Sequence, residues 1–233
     1  MKFRLVFASI PALMLSVVAL GCKARSGDSL AKQTQVVDAE HGKINDSTLP
    51  AGMRFIPLEY LGVEMAETEV TRAQWKAMMA SYPEDPLDLC ANQHNETKVG
   101  DTHPVTCVTW RQANLFAREM DKRKDGYSYR LPTSDEWTDA AGDIEGETYG
   151  WCDDHGLREV AHRKVYNGLF DMVGNAWEWT ASLHGESKEI RTKRGGTSNN
   201  RSQHLCRASD SSWGRPDEPE IDTGFRLVRK RID

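Results

Sequence analysis

The sequence predicts an α+β domain with few short strands, two to three helices and long irregular loops, and three kinds of signal lead there. Three threonines are each followed three positions later by Gln or Glu. Four short runs have strand composition, and two long stretches are rich in Gly, Asn, Ser, Asp and Pro. Of the 233 residues, 39% are hydrophobic and 28% charged, enough apolar material for one ordinary core and too little charge bias for a disordered chain. The formal net charge is −5 with no basic stripe, which excludes a nucleic-acid binder on electrostatic grounds.

The helices come first because their start signals are local. Thr71-Arg72-Ala73-Gln74, Thr109-Trp110-Arg111-Gln112 and Thr133-Ser134-Asp135-Glu136 read as capping boxes. In each, the threonine oxygen accepts the third amide while the Gln or Glu reaches back to the cap amide. Trp75, Met78 and Met79 carry the first helix to about Ala80. Ala113, Leu115, Phe116, Ala117 and Met120 carry the second to about Arg123, and Trp137, Ala140 and Ala141 make a short third ended by Gly142. Strand composition marks Met53–Pro57, Glu67–Thr71, Trp177–Ser182 and Gly224–Arg229. The stretches from about Gly142 to Gly168 and from Arg191 to Asp222 are loops long enough to suggest function, or restraint by a ligand or disulfide.

The N-terminus is a separate matter. Lys2 and Arg4 precede an uncharged apolar run, Leu5 to Gly21, of the length of an export-signal core and marginal for a spanning helix. Ala19-Leu20-Gly21-Cys22 resembles the lipobox of bacterial lipoproteins, although the commonest pattern has Leu where Ala19 stands and a small residue where Leu20 stands. The resemblance implies cleavage before Cys22, lipidation of its thiol and anchoring of the mature chain in a membrane facing the periplasm or cell surface. The alternative is an ordinary cleaved signal. Residues 1–21 are thus a lipoprotein signal peptide, 22–50 a flexible tether and 51–231 the folded domain. Export means oxidising conditions, so Cys90, Cys107, Cys152 and Cys206 are expected to form two disulfides, in any of three pairings. No Cys/His spacing suggests zinc.

Six segments then stand in a telling order: Glu67-Thr68-Glu69-Val70-Thr71-Arg72-Ala73-Gln74-Trp75; His103-Pro104-Val105-Thr106-Cys107-Val108-Thr109-Trp110; Arg130-Leu131-Pro132-Thr133-Ser134-Asp135-Glu136-Trp137; Gly168-Leu169-Phe170-Asp171-Met172-Val173-Gly174-Asn175-Ala176-Trp177-Glu178-Trp179-Thr180; Arg194-Gly195-Gly196-Thr197; and Thr223-Gly224-Phe225-Arg226-Leu227-Val228. In these the chain resembles the formylglycine-generating enzyme / sulfatase-modifying-factor family, over about residues 51 to 231. The resemblance implies a C-type-lectin-like fold, a shallow peptide- or ligand-binding groove and bound calcium. One family calcium site matches Asp171, Gly174, Ala176 and Glu178, with two carbonyls between two carboxylates. The alternative is that Asp171 and Glu178 are hydrogen-bonded at a structural turn. Trp177 and Trp179 are expected in the core, Arg226 as a structural brace, and Arg130 with Glu136 as an ion pair.

The family's namesake reaction oxidises a protein cysteine to Cα-formylglycine with oxygen, at a copper(I) ion held by two cysteines five residues apart. Soft thiolates suit copper(I). Here Cys206 matches the second position and is the candidate catalytic residue, but Arg201 stands five residues earlier and offers no soft ligand. Copper is therefore not expected. The favoured reading is an envelope-anchored, non-oxidising binding or regulatory module for a protein or peptide partner. The alternative is a formylglycine-generating oxidoreductase working through an atypical site.

Overall fold

The computed structural model describes residues 49–50, 52–82, 85–90, 99–142, 156–162, 166–198 and 207–232. Strands β1 (Phe55–Leu58), β2 (Val63–Ala66), β3 (Tyr127–Arg130) and β8 (Val228–Arg231) form one antiparallel sheet in the order β1-β2-β8-β3. The last strand thus lies between two early ones, tying the ends of the domain together. The second sheet has the order β6-β5-β4-β7, from β4 (Trp177–Leu183), β5 (Arg191–Arg194), β6 (Ser211–Gly214) and β7 (Thr223–Gly224). Only the β4–β7 pair in it is parallel. The α+β class holds, and the strands are short but more numerous than composition marks.

Helices α1 (Arg72–Met78), α3 (Trp110–Asp121) and α4 (Ser134–Ala141) begin where the capping boxes place them. All three boxes are complete, with Thr71, Thr109 and Thr133 each accepting the third amide and Gln74, Gln112 and Glu136 each returning to the cap amide. The last of these, α4, stops at Gly142, whose φ of 67° is a conformation few other residues adopt. A further four-residue helix, α2 (Pro86–Leu89), has no counterpart in the sequence reading. The run Glu67–Thr71 is not a strand. It leaves the sheet just after β2 and contributes only an isolated bridge between Thr71 and Pro104. The expected strand Gly224–Arg229 splits into β7 and β8, because Phe225, Arg226 and Leu227 turn into the core between them.

Two apolar clusters make that core. Ala113, Phe116, Ala117 and Met120 form one buried stripe of α3 at helical spacing. Phe116 meets Trp75 and Phe225 at ring-centroid distances of 5.7 and 5.4 Å, and Trp179 belongs to the same cluster. The second cluster gathers Trp137, Leu169, Met172, Val173 and Val228. Each such ring stabilises by roughly 1.5–3 kcal/mol through burial. Both Trp177 and Trp179 are buried, as expected. Trp179 Nε1 donates to the Val108 carbonyl (2.9 Å), which satisfies its one polar atom. Gly214 makes room for that indole, since a Cβ there would stand 2.4 Å from the ring. A disulfide joins Cys90 to Cys107, with Cα atoms 5.9 Å apart.

Candidate functional site

The turn from Phe170 to Ala176 and the start of β4 bring the chemistry of the domain together. Asp171 and Asn175 both hold positive φ (53° and 60°), which short Asx side chains tolerate better than most. Gly174 N–H donates to the Gly195 carbonyl (2.7 Å), and Ser198 N–H donates to the Asn175 carbonyl (3.0 Å). The turn therefore holds the Gly195-Gly196 segment, from which the chain runs on to the stretch bearing Arg201 and Cys206.

Beneath the turn lies a buried charge centre. Alternation along β4 sends Trp179 into one core cluster and Glu178 toward Trp137 of the other. Arg226, fully buried, donates through Nη2 to Glu178 Oε1 and through Nε to Oε2, both at 2.7 Å. Trp137 Nε1 donates to the same Oε2, also at 2.7 Å. The remaining Arg226 donors reach the carbonyls of Ala66 (3.3 Å) and Phe170 (3.0 Å). One guanidinium thus fastens β4, the end of β2 and the turn to one another.

Two further polar residues complete the centre, and sequence reasoning missed both. Asn175 Nδ2 donates to Glu69 Oε1 (3.0 Å), while its Oδ1 accepts Arg158 N–H (2.9 Å). Glu69 is wholly buried, and its Oε2 makes no hydrogen bond among the described residues. Burial, and then the charge of Asp171, hold Glu69 well above the usual carboxylate range, against the opposing pull of Arg226. The only signal available was that Glu69 stands in the first of the six family-like segments, within the run marked as a strand.

The expected calcium positions fare differently from one another. Asp171, Gly174 and Ala176 lie on the turn, and Asp171 Oδ2 accepts the N–H groups of Ala161 (2.7 Å) and His162 (3.2 Å). Glu178 has both oxygens taken and its charge balanced by Arg226, so its carboxylate as placed does not fit a calcium ligand. Among the described residues no group of three or more His, Cys, Asp and Glu side chains has the arrangement to hold a metal. Cys22, Cys152, Arg201 and Cys206 lie outside the described residues. Of the three disulfide pairings left open, the bridge Cys90–Cys107 is the one that the described residues contain.

Two small sheets, three capped helices and a guanidinium–carboxylate pin under a Gly-Gly segment make up a loop-rich α+β domain. The chain belongs to the sulfatase-modifying factor enzyme 1-like domain family, whose model matches residues 57–167 and 161–231. It is 30% identical over 156 residues to an inactive C-alpha-formylglycine-generating enzyme 2 of Bos taurus, covering 54% of this chain and 50% of that protein. It is 28% identical over 171 residues to a formylglycine-generating enzyme of Streptomyces coelicolor, covering 54% and 52%. The chain thus spans about half the length of these relatives. Among solved structures it resembles PvdO from Pseudomonas aeruginosa (TM-score 0.59, 17% identity, 78% of this chain and 92% of that one). It also resembles Treponema denticola variable protein 1 (TM-score 0.58, 22% identity, 77% and 91%). Both likenesses concern the fold alone.

Proposed function

We propose that this chain is an envelope-anchored, non-oxidising binding or regulatory module that keeps the formylglycine-generating domain without its copper pair. The observation that carries this reading is Arg201, a cation five residues before Cys206 where the family's copper site has its first cysteine. The 30% identity to a protein described as inactive supports it. Cys22 anchors the mature chain through lipid, and a protein or peptide of the envelope is its partner. Calcium at the turn would draw on Asp171 and the carbonyls of Gly174 and Ala176, with Glu178 left to Arg226.

A second reading has its own support: Cys206 is retained, and the Streptomyces coelicolor relative is described as a formylglycine-generating enzyme. That reading requires oxygen-dependent oxidation of a protein cysteine. The full chain, supplied with copper(I) and offered a cysteine-containing sulfatase peptide, is expected to bind no stoichiometric copper and to consume no oxygen. Copper near one per chain with peptide oxidation, both lost in Cys206→Ser, would make it an enzyme and overturn the proposal.

A further inference from the structure

At the far end of the second sheet, where α3 begins, a cavity of about 570 Å³ opens between the first turn of α3, the residues before β5 and the segment after β6. Its floor is Trp110, whose Nε1 donates to the Thr180 carbonyl (2.8 Å) and fixes the indole in place. Arg191 sits over that ring with its guanidinium carbon 4.0 Å from the centroid, and Nη1 donates to the Ala181 carbonyl (3.2 Å). Arg191 makes no ion pair among the described residues, and its buried Nε has no hydrogen bond. A cation so placed needs a counter-charge, and the neighbours supply the opposite: burial first, and then the charge of Arg111, pull Arg191 below the usual guanidinium range.

The walls are charged in a way that leaves a remainder. Arg111 is paired with Asp217, and Arg215 Nη1 with Glu218 at 3.1 Å. The Arg111 N–H also donates to the Pro216 carbonyl (3.3 Å), which holds this wall against the start of α3. Once those pairs cancel, Arg191 and the exposed Lys188 face a single carboxylate, Glu189. One positive charge is left over, in a chain whose net charge is −5. An excess of one matches a monoanion. A dianionic phosphate carries one charge too many and would meet the three carboxylates of the rim, and among monoanions a carboxylate offers the two oxygens that a guanidinium can take.

We propose that the Trp110–Arg191 cavity is a binding site for a carboxylate, carried by an acidic peptide side chain or a small organic acid. The site is separate from the Gly-Gly segment and stands whether or not the chain oxidises cysteine. Occupancy would give Arg191 the counter-ion it lacks, with Lys188 as the second, mobile donor at the entrance.

The test is a titration of the full chain, followed by the shifts of the Trp110 indole N–H and the Arg191 Nε–H. The probes are acetyl-Gly-Glu-Gly-amide, its Gln counterpart, glutarate and inorganic phosphate. Saturable shifts are expected from the Glu peptide or from glutarate, with the tighter of the two identifying the source. Arg191→Gln is expected to weaken binding about tenfold through loss of the forked contact. Lys188 is exposed and its replacement leaves the fold intact, so Lys188→Glu tests the same charge without that risk, with an expected weakening of about tenfold. Failure of every probe to saturate, equal binding of the Gln peptide, tighter binding of phosphate, or unchanged affinity in Lys188→Glu would each overturn the proposal.

Discussion

Two arginine–glutamate pairs with the same chemistry sit in very different places. In both, the guanidinium spans the two carboxylate oxygens: Arg226 on Glu178 at 2.7 and 2.7 Å, Arg130 on Glu136 at 2.7 and 2.6 Å. The side chains of the first pair are 0% and 1% exposed, those of the second 42% and 18%. In the first, water has been replaced by Trp137 and a set of carbonyls, so removal of one partner strands an uncompensated charge. In the second, water takes over whatever is removed. The geometry is shared, and desolvation decides what each pair contributes.

Breaking the buried pair should therefore have the largest effect. Arg226→Met is expected to lose about 3–5 kcal/mol of unfolding free energy, read from the urea midpoint. The double change Arg226→Met with Glu178→Leu should recover a good part of that loss, because a matched apolar pair leaves no stranded charge. A loss below about 1 kcal/mol in the single variant would place the pair with ordinary surface bridges. The supporting donor comes next. Trp137→Phe removes one hydrogen bond to Glu178 Oε2 and a slice of packing, for an expected loss of about 1–3 kcal/mol by the same measurement. Equality with the parent would show that Arg226 alone satisfies that oxygen.

The contrast also explains what could be read from sequence. The Arg130–Glu136 pair was legible because everything it needs lies within six residues: Glu136 is the third residue of a helix whose cap is Thr133, and its Oε2 accepts the Thr133 N–H (2.8 Å) as well as Arg130. All three capping boxes share that locality. The role of Glu178 depends on Arg226, 48 positions away, and a motif alone places it as readily at a metal as at a guanidinium. Strand β5 was illegible for a similar reason. Arg191-Thr192-Lys193-Arg194 has no strand composition, and it is a strand because β4 and β6 pair with it on both sides. Lys193 is buried there against Glu220 and close to Trp177 and Trp179. Glu67–Thr71 failed in the opposite sense: its alternating pattern looks like a strand, but Glu69 turns inward to Asn175 and β-pairing stops at Ala66. The cavity over Trp110 gathers residues from three segments, none of them distinctive alone.

The half-exposed pair gives the smallest effect and the sharpest sign. Hydrogen bonds from Arg130 in the first place, with the Thr133 amide assisting against the cost of burial, hold the Glu136 carboxyl below the usual carboxylate range. The unfolded chain titrates near the ordinary value of about 4.3. Between the two values the unfolded state binds the proton and the folded state does not, so stability rises with pH through that window. The contribution is present above the unfolded value and is lost as pH falls through the folded one. Exposure of Arg130 and screening by salt keep it small. Arg130→Gln should therefore cost about 0.5 kcal/mol near neutral pH. The difference from the parent should close on acidification through the depressed folded value of Glu136, below which that carboxyl is protonated in both proteins. Thermal melts from neutral to acid pH would measure it. A difference that stays constant across that range would mean Arg130 acts through the packing of its alkyl stem rather than its charge, and the two pairs would then differ in kind as well as in burial.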